Sequence, residues 1–145
     1  THLVLNGLAG ILLGWAAFPA LAVALFLQAI LFQFGGMGSL GINLLIMAIP
    51  AVLCGTLFRM GFKRRVWKGP RLWVAAFGTG LFSVWFSALL QAGILAACHP
   101  SFRLAAATLA LIHAVSGPVE GIITASVVSF LVKVRPALLG AGGDP

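Results

Sequence analysis

Six side chains in this 145-residue chain have the chemistry to bind a metal or carry a proton inside an apolar setting: His2, His99, His113, Cys54, Cys98 and Glu120. Their spacing forms no HxxxH or CxxC pair, so a closed zinc site is not written into the sequence. GxSxG, HExxH, Walker A and paired carboxylates are absent too, which leaves no catalytic residue to name and no cofactor-binding motif. His113 lies in an apolar run, where a packed, hydrogen-bonded imidazole is commoner than a ligand, and Cys98-His99 reads first as a helix boundary. The cysteines are small apolar packing residues. Glu120 is the one acid within an apolar block, and a carboxylate there requires a reason. With Gly117 as N-cap and Pro118 at the first helical position, it falls in the first turn of a resumed helix, favoured by the positive end of the dipole. A structural role and a coupling or ion-binding role both fit.

The elements that must position these groups follow from composition. Hydrophobic residues make up 61% of the chain, charged residues 8%, and mean hydropathy is +1.14, values that place it among integral membrane proteins. Continuous apolar runs, without alternation, specify an all-α polytopic bundle in one membrane domain over residues 1–145 and exclude a barrel. Leu3 to Phe34 is too long for one span and is interrupted at Gly14, Trp15 and Phe18-Pro19, predicting a short helical hairpin. Gly10 and Gly14 form a GxxxG pair suited to close helix approach. Further spans run from about Ile42 to Phe62, with a kink predicted at Pro50, and from about Leu72 to Ala97. The block Leu104 to Val134 contains Ser116-Gly117-Pro118 and predicts a discontinuous last helix, one broken traverse.

Six of the nine basic residues lie at 59–71, so this connector is predicted to be a cytoplasmic loop, in contact with anionic lipid headgroups. The charge carries no interleaved aromatic surface for nucleic acid. Parity then places the Gly-rich loop at 35–41 and His2 outside, with Lys133 and Arg135 inside if the last block is one traverse; Arg103 alone opposes this orientation. Thr79, Ser83, Ser87 and Gln91 recur every four residues and line one stripe, fit either for a polar pathway or, more commonly, for interhelical hydrogen bonding.

Three stretches together resemble the substrate-specific membrane subunit of energy-coupling-factor cobalt and nickel transporters, the CbiM/NikM family. They are His2-Leu3-Val4-Leu5-Asn6-Gly7-Leu8; Leu27-Gln28-Ala29 through Phe34-Gly35-Gly36, with Leu40-Gly41-Ile42-Asn43 and Met47-Ala48-Ile49-Pro50; and Pro118-Val119-Glu120-Gly121. The resemblance implies a non-catalytic subunit of the cell (inner) membrane that captures Co2+ or Ni2+ on the outer side, as transported substrate and in support of cobalamin biosynthesis. It also implies a transmembrane coupling subunit, cytoplasmic ATPase subunits and a small accessory membrane subunit as partners. In that family an N-terminal Met-His supplies nitrogens to the metal, and a loop histidine, here His2, supplies another. Nitrogen ligands in a plane suit nickel and cobalt better than the oxygen shells of magnesium or calcium. Asn43, and after it Asn6, are the candidates to hold that imidazole by hydrogen bonding, and helix-terminal or interhelical bonding fits both as well. Thr1 is not a methionine, so the chain reads as an N-terminally truncated fragment lacking the first two family spans. A subunit for an organic solute such as a vitamin, and a structural or assembly membrane protein, are the alternatives.

Overall fold

The apolar runs form helices throughout the computed structural model, which describes residues 3, 5–32, 37–64 and 68–139. Five α-helices follow in order: α1 Asn6–Leu13, α2 Ala17–Phe32, α3 Leu40–Arg64, α4 Pro70–Cys98 and α5 Arg103–Val134, with single 3-10 turns between or after them and no strand among the described residues. Four stretches are long and apolar enough to cross a bilayer: Asn6–Phe32, Met37–Lys63, Pro70–Cys98 and Pro100–Val134. The chain is a multi-pass membrane protein. Its outward faces carry exposed Leu57, Leu89, Leu104 and Val115, the surface that lipid solvates.

The first of the four stretches is a hairpin. Gly10 lies against Ala51 and Gly55, and Gly14 against the Arg59 guanidinium, so α1 runs in the same direction as α3. Were the 16-residue α2 to continue onward, it would end about 50 Å from the start of α3, beyond the roughly 25 Å that a seven-residue connection spans. It must run back. The turn falls at the Gly14-Trp15 part of the predicted interruption, not at Phe18-Pro19: α1 ends at Gly14, whose φ of 56° favours glycine, and a 3-10 turn covers Gly14–Ala16. Pro19 falls instead in the first turn of α2, where a missing N–H has no helical acceptor to lose. Gly10 therefore makes the predicted close approach, whereas Gly14 is a helix stop.

The last helix also differs from prediction. α5 continues for 32 residues through Gly117 and Pro118 with no break. Pro118 withholds one N–H from the Ala114 carbonyl, and membrane helices tolerate this because local adjustment and neighbouring helices accommodate the freed group. Gly117 packs on Leu81 and Trp85 and Gly121 on Phe77, so α5 is antiparallel to α4 in a single traverse. Lys133 and Arg135 thus share one end of the bundle with Arg59, Lys63, Lys68 and Arg71. Within the 59–71 connector α3 extends to Arg64 and α4 starts at Pro70. Pro50 is buried inside α3, which runs through it.

Two kinds of contact fix the arrangement. An apolar cluster of Ile11, Phe58, Phe62, Leu72, Ala76, Ala125, Val128 and Leu139 fills the basic end. Above it, three helices meet through glycine: a β-carbon on Gly7 would lie 2.7 Å from the Gly80 Cα, and one on Gly80 would lie 3.0 Å from the Gly121 Cα. Only hydrogen side chains allow α1, α4 and α5 so close.

Candidate functional site

Immediately beyond these glycines, away from the basic end, the polar residues of the interior gather where α1 begins. Asn6, the first residue of α1, is 1% exposed, and Glu120 of α5 is 2% exposed. Glu120 Oε2 accepts a hydrogen bond of 2.8 Å from the Leu5 backbone N–H, a contact across 115 residues of sequence. Leu5 has φ 53° and ψ 29°, the left-handed region, and caps α1 with no side-chain hydrogen bond. Non-glycine residues seldom adopt this conformation because the side chain crowds the backbone.

The first-turn position expected for Glu120 is not found, because α5 runs unbroken through Gly117 and Pro118. α5 has no N-terminus near residue 120, whereas the Leu5 N–H at the N-terminus of α1 donates to this carboxylate, where the positive end of the α1 dipole favours it. The depth is membrane-internal: Glu120 stands 13 residues before Lys133, about 20 Å along α5 from the basic end. α1, about 12 Å long, thus starts inside the bundle and covers only the half nearer the basic cluster.

Beside this contact, Asn6 Nδ2 donates to Ser87 Oγ at 3.1 Å, and Ser87 Oγ donates to the Ser83 carbonyl at 3.0 Å. The stripe predicted on α4 thus divides. Ser83 and Ser87 are buried, Ser87 against Asn6 of α1, Thr79 bonds back to the Ala75 carbonyl at 2.8 Å, and Gln91 is half-buried. Interhelical bonding is realised at Ser87. Asn6 Oδ1, Ser83 Oγ and Thr124 Oγ1 are buried and hydrogen-bond to no described group, the kind of site that an internal water satisfies.

His2 lies outside the described residues. Asn43 sits half-buried in the first turn of α3, and its Nδ2 donates to Ser39 Oγ at 3.3 Å. Because α1 and α3 run alike, Asn43 lies nearer than Asn6 to the end opposite the basic cluster. His99 is exposed and pairs through Nδ1 with Ser101 Oγ at 3.0 Å, capping the turn before α5. His113 Nδ1 is 2.8 Å from the Leu109 carbonyl of its own helix. Cys54 and Cys98 are free thiols. Among the described residues no three His, Cys, Asp or Glu side chains converge as a metal site. What the arrangement does chemically is hold backbone: the Glu120 carboxylate accepts the Leu5 N–H at the start of α1. Sequence reading missed Leu5 altogether, since no residue-type signal marks a left-handed leucine.

Comparison with known proteins adds the lineage. The family described as "Cobalt uptake substrate-specific transmembrane region", CbiM, matches residues 1–138. A "Putative metal transport protein" of Haemophilus influenzae is 38% identical over 139 residues, covering 95% of this chain and 67% of that protein. The "Fused nickel transport protein NikMN" of Rhodobacter capsulatus is 32% identical, covering 96% of this chain and 45% of that one. The "Cobalt transport protein CbiM" of Sorangium cellulosum is 32% identical, with 92% and 62% covered. The chain spans between about half and two-thirds of the length of these relatives. No solved structure matches the chain. A family match over residues 1–138, borne on a helical membrane bundle, shows that this chain belongs to the CbiM family of cobalt uptake substrate-specific transmembrane regions.

Proposed function

We propose that this chain forms most of the metal-recognising membrane subunit of an ATP-driven importer of divalent cobalt or nickel. The observation that carries the reading is the family match over residues 1–138, together with relatives named for nickel and for cobalt transport. The metal is cargo, taken up at the end opposite the basic cluster. The basic end faces the cytoplasm of a cell whose inner membrane holds the protein, in line with the clustering of Arg59, Lys63, Lys68, Arg71, Lys133 and Arg135.

His2 supplies a ring nitrogen to the metal. It precedes the anchored Leu5 by three residues, so at most about 10 Å of extended chain separates it from the interior start of α1. Asn6 and Asn43 are the nearby amides suited to orient it. ATP hydrolysis belongs to separate cytoplasmic subunits joined through a transmembrane coupling subunit, with a small accessory membrane subunit alongside. The "NikMN" fusion among the relatives fits a partner module of that kind.

The test is metal titration of the full-length subunit in detergent. Tight Ni2+ or Co2+ binding that falls at least a hundredfold in His2→Ala supports the assignment. Tight binding indifferent to that substitution removes His2 from the site, and absence of binding removes the metal reading.

A further inference from the structure

We infer that Glu120 is a positioning residue for metal capture: its carboxylate clamps the left-handed turn at Leu5 and so fixes the backbone that leads from His2 into α1. This inference rests on the proposed role of His2 and adds a residue from a different helix to it.

Three features of the contact carry it. First, Glu120 is 2% exposed within a membrane span, a location that costs free energy unless the charge is used. Its Oε2 is bonded not to α5 but to the backbone of a segment 115 residues away. Second, the group it holds is under conformational strain. Leu5 at φ 53° pays the steric cost of the left-handed region, and α1 has no side-chain cap to hold its first turn. A strained residue persists where its surroundings over-determine it. Without the acceptor, Leu5 gains by relaxing to an extended conformation.

Third, the position of Glu120 relative to Leu5 is set by close helix contacts around glycine. Gly121, its neighbour, packs on Phe77, with a β-carbon there only 2.9 Å from the ring and 3.0 Å from the Phe77 carbonyl. Gly80 seats between Gly7 and Gly121. The acid and the start of α1 are held by a three-helix junction that has little freedom to adjust, the preorganisation a ligand-bearing segment needs. Residues that orient metal ligands from behind typically alter affinity by about 10–100-fold when removed.

The experiment uses the full-length subunit in detergent and reads two quantities. One is Ni2+ and Co2+ affinity by calorimetric titration in wild type, Glu120→Ala, Glu120→Gln and Thr124→Val. The other is hydrogen exchange at the Leu5 amide without metal. Thr124 lies one turn along α5, fully buried against Gly80, and serves as the packing control.

The expected result is an affinity loss of at least tenfold in Glu120→Ala and a smaller loss in Glu120→Gln, whose amide oxygen still accepts. Thr124→Val stays within about twofold, and Leu5 exchange accelerates at least tenfold in Glu120→Ala. Wild-type affinity in Glu120→Ala overturns the inference. So does an equal loss in Thr124→Val at equal thermal stability, because packing alone then explains both. Should Glu120→Ala fail to assemble, Glu120→Gln decides, and unchanged affinity with unchanged Leu5 exchange overturns the clamp. Wild-type protein that binds neither metal overturns the import reading and, with it, the role in capture. That failure is told apart from failure of the clamp because the exchange measurement requires no metal.

Discussion

Gly10 of α1 and Gly55 of α3 meet backbone to backbone: a β-carbon on Gly55 would overlap the Gly10 peptide, and one on Gly10 would overlap the Ala51 carbonyl. No rotamer change relieves such an overlap, so the helices themselves must separate. Gly10→Ala and Gly55→Ala are each expected to destabilise the bundle by about 1–3 kcal/mol, and Gly55→Leu by more. Gly93, with nothing within 4 Å of an added β-carbon, is the contrast: Gly93→Ala gains about 0.5–1 kcal/mol from helix propensity. Thermal unfolding in one detergent ranks the four, and the ranking fails if Gly93→Ala and Gly55→Ala move together.

Asn6 and Ser87 are joined by a 3.1 Å hydrogen bond between α1 and α4. A double-mutant cycle with Asn6→Ala and Ser87→Ala is expected to return a coupling of about 0.6–1.7 kcal/mol, the range measured for interhelical side-chain bonds in membranes. Additive single effects would mean that the two side chains act independently.

The proposed role of His2 implies that the three histidines will separate in metal titration. His99 is committed to Ser101 at an exposed turn, and His113 to the Leu109 carbonyl within α5. His99→Ala and His113→Ala should each keep Ni2+ and Co2+ affinity within about twofold, while His2→Ala loses it. A tenfold loss in His113→Ala would move the site along α5, away from the start of α1.

Orientation is testable through Cys98, which is exposed at the end of α4 opposite Lys68. In a Cys54→Ala background, a membrane-impermeant maleimide applied to intact cells should label Cys98. Lys68→Cys in a Cys98→Ala chain should label only after the membrane is opened. The reverse pattern would invert the bundle and put the basic end outside.

Much of the fold was legible because hydropathy and proline–glycine punctuation act locally. α3, α4 and α5 begin and end within two residues of the predicted Ile42–Phe62, Leu72–Ala97 and Leu104–Val134. Errors came where one residue type has two local uses. Pro19 and Pro118 both read as breaks, yet Pro19 opens α2 and Pro118 rides inside α5, since a proline's effect depends on whether its missing N–H had an acceptor nearby. The site was less legible, because its decisive contacts are long-range. The cost of burying Glu120 marked it as needing a reason, but the reason read locally, a helix restarting at Gly117-Pro118, is absent because α5 runs unbroken there; the observed partner, the Leu5 N–H, lies 115 residues away, where no local pattern reaches. Sequence ranked Asn43 ahead of Asn6 as an orienting amide; the structure shows Asn6 as a buried interhelical donor and Asn43 as a half-buried residue bonded within its own terminal turn.

The junction of Gly7, Gly80 and Gly121 also bears on motion. Where helices touch through long side chains, a rotamer change lets them slide or part; where they touch backbone to backbone, no such lubricant exists. α1, α4 and α5 are therefore expected to shift as one rigid block, with no gate opening along their common seam. In the import role proposed above, cargo is expected to pass by reorientation of that block against its surroundings, carrying the interior start of α1 with it.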